Sequence, residues 1–149
     1  MAAHYAHTNI IASDWRRLAK FYQAAFGCEP VPPERKQSGS WLEAGTGVRG
    51  AALQGVHLRL PGHGGAGPTL EIYSYRHMEE KPEALPNRKG FGHIAFVVDD
   101  VLDAVDKITS LGGRAVGKVT STDVPGVGRL TFVYAADPED NILELQHWS

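Results

Sequence analysis

The sequence predicts an α+β fold built from two βαβββ modules, and three observations carry that expectation. A histidine-headed apolar strand followed by an amphipathic helix occurs twice, as "HTNIIASDWRRLAKFYQAAFG" and "GHIAFVVDDVLDAVDKITSLGG". Shifting the chain by 86 positions places His7 on His93, Ile11 on Val97, Trp15 on Val101, Ala19 on Val105, Tyr22 on Ile108 and Gly27 on Gly113. Each copy then closes on a strand with a glutamate in it, "TLEIYSY" around Glu71 and "ILELQHW" around Glu144. Repetition over this length means one structural unit used twice.

The elements follow in order. His7 opens the first strand, and Ser13 or Asp14 caps a helix whose Trp15, Leu18, Ala19, Tyr22 and Phe26 recur at i, i+3, i+4 spacing until Gly27 stops it. The second copy repeats the plan. "FGHIAFVVDD" reads as a buried strand headed by His93, Asp99 or Asp100 caps the helix, Val101, Ala104, Val105, Ile108 and Leu111 form its stripe, and Gly112 and Gly113 end it. Both stripes are expected to pack on a sheet. Short strands broken by glycine and proline follow each helix. From glycine to glutamate the first copy takes 44 residues (27 to 71) and the second 31 (113 to 144), a surplus of about 13 that falls in "GSWLEAGTGVRGAALQG" and "PGHGGAGP", whose glycines predict turns and long loops. The first module covers about residues 5–74 and the second about 91–147, with a polar, proline-interrupted linker over about 75–90.

Composition removes several functions. At 149 residues and a net charge of −2, with lysines and arginines scattered, the chain has no electrostatic footprint for nucleic acid or a membrane surface. No apolar run approaches the roughly 20 residues of a membrane-spanning helix. The single Cys28 has no partner for an internal disulfide, and residues 1–9 lack a basic segment followed by an apolar run, so a cytoplasmic protein is expected.

Four polar residues occupy equivalent places: His7 and His93 at the head of each first strand, Glu71 and Glu144 in each last one. Side chains alternate along a strand, so His93, Ala95 and Val97 share a face, and Glu71 shares one with Tyr73. Two modules facing each other would supply two imidazoles and two carboxylates. Mixed nitrogen and oxygen donors suit Zn, Ni, Co, Mn or Fe, whereas Ca prefers oxygen alone. Taken singly, a strand histidine is commonly a neutral residue bonded to a backbone carbonyl, and a strand glutamate commonly faces solvent. Duplication gives no reason to keep all four in register, and carboxylates brought together in a partly dry place call for a cation. Tyr73 and Gln146, each two residues beyond a glutamate, face the same way and could bond a substrate or a bound water. His57 could point into a cavity but aligns with no counterpart. All five remaining histidines, His57 with His4, His63, His77 and His147, read as surface or supporting residues.

The two quoted helix segments, each followed by a late "LEI" or "LEL" strand, resemble the vicinal oxygen chelate superfamily from about His7 to Gln146. That group includes glyoxalase I, methylmalonyl-CoA epimerase, extradiol dioxygenases, fosfomycin-resistance proteins and bleomycin-binding proteins. The resemblance implies a cup-like, open mixed sheet with helices outside, and one divalent metal held by His7, Glu71, His93 and Glu144. The His, Glu, His, Glu order matches glyoxalase I. Methylmalonyl-CoA epimerases ordinarily carry Gln at the place of Glu71, extradiol dioxygenases need only His, His and Glu, and bleomycin-binding members generally lack the set. A glutathione-binding set is not identifiable, and the segment Trp41 to Gln54 departs from the compact glyoxalase pattern.

The implied activity is that of a glyoxalase-type lyase or isomerase, stabilising an enediolate or enolate of a small oxygenated substrate by Lewis acidity. The resemblance suggests Glu144 as the base, with Glu71 as its equivalent on the other face and Glu43, on a strand candidate, as an alternative. Arg35, Arg76, Arg88 or Lys89 could hold an anionic substrate tail. The competing readings are an epimerase-like racemase, a ring-cleaving dioxygenase and a non-catalytic protein binding a small ligand or antibiotic. A symmetric homodimer is expected, because exposed sheet edges and apolar helix faces on so small a chain invite pairing.

Overall fold

Strand alternation decides which side of each sheet packs and which stays open. The computed structural model describes residues 1–149, which divide into two compact units, Met1–Glu80 and Lys81–Ser149. The fold is α+β, with one sheet of four strands and one of five. No helix is long and apolar enough to cross a membrane.

In the first unit, β1 (His7–Ile11) leads into α1 (Trp15–Phe26), then β2 (Glu29–Ser38), α2 (Ser40–Thr46), β3 (Ala52–Arg59) and β4 (Thr69–Tyr75). The sheet order is β1-β4-β3-β2, with β1 and β4 parallel and the other pairs antiparallel. Asp14 caps α1 by accepting a hydrogen bond from the Arg17 amide at 3.0 Å. Gly27 ends it in the left-handed region at φ 70°, a conformation glycine adopts without a Cβ penalty. The helix buries Trp15, Leu18, Ala19, Phe21 and Tyr22 against β3 and β4, whose even-numbered Val56, Leu58, Leu70 and Ile72 are buried. Each such large apolar side chain contributes roughly 1.5–3 kcal/mol. The odd-numbered residues of β3 and β4 project on the opposite face.

The surplus of the first copy is not all loop. Residues 40–46 form α2, entered from Gly39 at φ 112° and left through Gly47 at φ 71°; the glycines bound a helix, because Trp41, Leu42, Glu43 and Ala44 between them are adequate helix formers. Glu43 therefore stands on this helix and not on a strand, and its carboxylate accepts the Gly50 amide at 2.5 Å. Leu42 packs with Ala51, Leu53, Tyr73 and Tyr75, so α2 covers one end of the odd-numbered face.

The second unit repeats the plan with β5 (Ile94–Val97), α3 (Val101–Ser110), a two-residue β6 (Arg114–Ala115), β7 (Thr120–Val124), β8 (Gly128–Ala136) and β9 (Ile142–Trp148). Its sheet runs β5-β9-β8-β6, with β7 also paired to β8, and β5 lies parallel to β9 as β1 does to β4. Asp100 caps α3 through the Asp103 amide at 3.0 Å. Val101, Ile108, Val133, Ala135, Leu143 and Leu145 are buried. The buried Asp137 closes the β8 to β9 turn by accepting bonds from the Glu139 amide, the Asn141 amide and the Asn141 side chain. That turn fixes the register of β9. β5 is not the fully buried strand its composition suggests: Ile94 and Phe96 are half-buried, while Val97 is 72% exposed. A sheet packed on one side needs apolar residues only there; the other face of β5, with His93, Ala95 and Val97, is left open.

Candidate functional site

On its open face each unit sets imidazole against carboxylate, two imidazoles in the first unit and one in the second. In the first, β1 and β4 run in register with Asn9 opposite Glu71 and Ile11 opposite Tyr73, and β3 sets His57 opposite Glu71 from the other side. His7 Nε2 lies 3.6 Å from Glu71 Oε2, and His57 Nε2 lies 2.9 Å from the same oxygen. Asn9 Nδ2 donates to the other carboxylate oxygen, Oε1, at 2.8 Å. The Tyr73 hydroxyl is 3.1 Å from His57 Nε2, and the Thr69 hydroxyl is 3.0 Å from His57 Nδ1. Glu71 is only 12% exposed, so a carboxylate there needs these partners.

Burial lowers the His57 pKa from its ordinary value, the Glu71 charge opposing that effect. The ring is thus neutral near pH 7, and Nε2–H donating to Glu71 with Thr69 donating to Nδ1 satisfies both nitrogens. The Tyr73 phenol is pushed up to about 12, by burial first and then by the adjacent Glu71 charge and its hydrogen bond. Tyr73 is a neutral O–H donor at any physiological pH.

In the second unit, β9 carries Glu144 opposite Ala95 of β5 and opposite Tyr134 of β8. His93, one residue before β5, brings Nε2 to 3.0 Å from Glu144 Oε2. The His93 ring sits 4.8 Å from the Tyr134 ring, centroid to centroid. Gln146 shares this face, and its side-chain oxygen accepts the Trp148 indole N–H at 2.8 Å.

Position for position, Asn9, His57 and Tyr73 correspond to Ala95, Tyr134 and Gln146. The first carboxylate is ringed by donors and the second is held by His93. Sequence reading placed Tyr73 on the Glu71 face and missed that His57 touches Glu71 directly. It also missed Asn9 and Tyr134. The parity of Asn9 with His7 was available as a signal; the pairings of His57 with Glu71 and Tyr134 with Glu144 are cross-strand registers, which no local pattern displays.

The donor chemistry fits a divalent ion at the level of each pair. Two ligands about 2.1 Å from one ion sit roughly 3.0–3.4 Å apart, close to the 3.0 Å of His93 and Glu144 and the 3.6 Å of His7 and Glu71. No group of three or more His, Cys, Asp or Glu side chains is arranged to hold a metal ion.

Taken together, these features define a protein of the paired-module α+β class described by the vicinal oxygen chelate fold. The chain belongs to the Glyoxalase/Bleomycin resistance protein/Dioxygenase superfamily, whose sequence model matches residues 4–145. A search of the curated proteins returns no match. Among solved structures, a glyoxalase family protein from Bacillus cereus superposes with a TM-score of 0.82 at 17% identity, covering 99% of this chain and 95% of that one. A glyoxalase family protein from Enterococcus faecalis gives a TM-score of 0.60 at 23% identity, covering 96% of each chain. The fosfomycin resistance protein FosX from Listeria monocytogenes gives 0.60 at 19% identity, covering 100% of this chain and 96% of that one. These are likenesses of fold.

Proposed function

We propose that the protein is a metal-dependent lyase or isomerase of the glyoxalase type, moving a proton on a carbon beside a carbonyl of a small oxygenated substrate by way of an enediolate or enolate. The observation that carries this reading is the repeated pairing of an imidazole with a carboxylate on the open face of each unit, His7 with Glu71 and His93 with Glu144. These four side chains would hold one divalent ion, of Zn, Ni, Co, Mn or Fe. Such an ion supplies Lewis acidity toward negative charge developing on the substrate oxygens.

The chain's own residues then divide the labour. Glu144 is the base, because its carboxylate is held by His93 without the further donors that surround Glu71, and so can turn to take a proton and return it. Glu71 is the fixed carboxylate, held in place by Asn9 and His57. Tyr73 and Gln146 face the same side and present an O–H and an amide to the substrate. A symmetric homodimer accompanies this reading, supported by the open outer edges of β1 and β5 within their sheets. A cytoplasmic setting is supported by the buried, unpaired Cys28.

A second reading is favoured by one feature. Because the Glu71 oxygens already accept bonds from Asn9 and His57, a metal must compete with them for that carboxylate. A non-catalytic module binding a small ligand would need no such exchange. Elemental analysis of the purified protein and of H93A and E144Q decides between the two. The enzyme reading expects about one divalent ion per pair of modules, lost or weakened in H93A, with E144Q losing substrate-proton exchange. A wild type that takes up no Zn, Ni, Co, Mn or Fe on reconstitution rules that mechanism out and leaves the binding module.

A further inference from the structure

The open face of the first unit carries a cation that the mechanism above does not use. Arg35 stands on β2 opposite Gly55 of β3, and Gly55 stands opposite Tyr73 of β4. Antiparallel partners project to the same side, so Arg35, Gly55 and Tyr73 form one row across the sheet, in the row next to His57 and Glu71. β2 reaches this register through an irregularity between Val31 and Arg35. Two extra residues there shift the pairing while keeping Arg35 on the face of Val31 and His57, a common use of a bulge to re-aim a side chain.

Gly55 leaves a gap in that row. A Cβ at this position would lie 2.1 Å from the Ile72 carbonyl oxygen and 2.3 Å from Tyr73 Cδ1, so the Tyr73 ring lies over bare backbone. In the register row the residue between Tyr73 and Arg35 is Gly55, which has no side chain.

Arg35 is also left without a counter-ion. Arg16, Arg114 and Arg129, all more than half exposed, are paired with Glu34, Asp140 and Asp123. The half-buried Arg35 makes no such pair; its guanidinium donates one hydrogen bond, to the Pro33 carbonyl. Most of its five-donor fork remains unclaimed, a geometry suited to two oxygens of one acid group. In the second unit, the register position that corresponds to Arg35 is held by Thr120, opposite Phe132 of β8; Arg114 of β6, opposite Ala136, shares that face but is paired with Asp140. An unpaired guanidinium at this register position belongs to the first module alone.

We propose that Arg35, in one row across the sheet with Gly55 and Tyr73, is a subsite for an oxyanion, so that the substrate is a small oxygenated compound bearing a carboxylate or phosphoryl group. This rests on the reading that substrate binds on the open face. Metal-free protein, prepared with EDTA, is titrated at low ionic strength with inorganic phosphate, with malonate and with neutral malonamide, while calorimetry and the Arg35 side-chain nitrogen resonance are followed. One of the two anions is expected to saturate and shift that resonance, malonamide is not, and which anion does so separates a phosphoryl from a carboxylate substrate. R35Q should bind it roughly tenfold or more weakly, the scale of a lost charge-assisted hydrogen bond. R35K should recover part of the affinity, and R129Q all of it. If neither anion moves the Arg35 resonance, or if folded R35Q binds as the wild type does, the subsite is wrong. Should R35Q fail to fold, the wild-type resonance still decides. A protein that takes up no metal but passes this titration loses the metal reading and keeps the subsite; one that binds metal and fails here does the reverse.

Discussion

Asn9 donates a 2.8 Å hydrogen bond to Glu71, and the residue that repeats Asn9 in the second module, Ala95, has nothing to donate to Glu144. A methyl group stands beside the second carboxylate where an amide donates to the first. The duplicated fold holds both glutamates in the same register; the difference lies in the side chains beside them.

That contrast can be exchanged between modules. Asn9→Ala should destabilise the protein by about 0.5–1.5 kcal/mol, the worth of one hydrogen bond to a partly buried acceptor. Ala95→Asn should restrain Glu144 and slow the reaction while leaving metal content intact. Urea melts measure the first and turnover with metal analysis the second. An Ala95→Asn variant with full turnover would show that Glu144 mobility is irrelevant.

The two glutamates should also fail differently. Glu144→Gln removes the proposed base and should lower turnover by about 10²-fold or more while His93 still contributes its nitrogen. Glu71→Gln should instead leave one acceptor oxygen and set an NH2 donor against His57 or Asn9, lowering the melting temperature as well as metal occupancy. Equal effects of both variants on both quantities would remove the division of roles.

Gly55→Ala tests the packing of the open face. The added methyl meets backbone at 2.1 Å and the Tyr73 ring at 2.3 Å, so a loss of about 1–3 kcal/mol is expected. Tyr73 fluorescence and the melting temperature should both change. An unaltered melting temperature would mean that the ring does not rest on Gly55.

Cys28 is 3% exposed, and burial raises its thiol from 9.0 to about 11. The native protein should resist a thiol-reactive disulfide at pH 8 and react once unfolded, since the thiolate is the nucleophile. Linkage has a fixed sign here. The folded state holds this proton more tightly than the unfolded state, so stability is unaffected below about pH 9 and is lost as pH rises toward 11. Cys28→Ala should flatten that part of the stability profile; a profile identical to the wild type would refute the shift.

The sequence by itself determined the repeat, the helices with caps narrowed to Ser13 or Asp14 and to Asp99 or Asp100, the stop at Gly27, and the face shared by Glu71 and Tyr73; the structure chose Asp14 and Asp100. All are local, set by periods of 3.6 and 2 and by backbone conformation at single residues. It did not show α2, because the glycines at 39 and 47 mark the ends of a short helix as readily as the turns of a loop. Nor did it show that His57 and Asn9 grip Glu71, that Tyr134 stacks on His93, or that Arg35 shares a row with Tyr73. Only the tertiary structure decided those, since residues as far apart as Asn9 and Glu71 become neighbours through strand register, and register follows from how the buried faces pack and how each strand is bulged or turned.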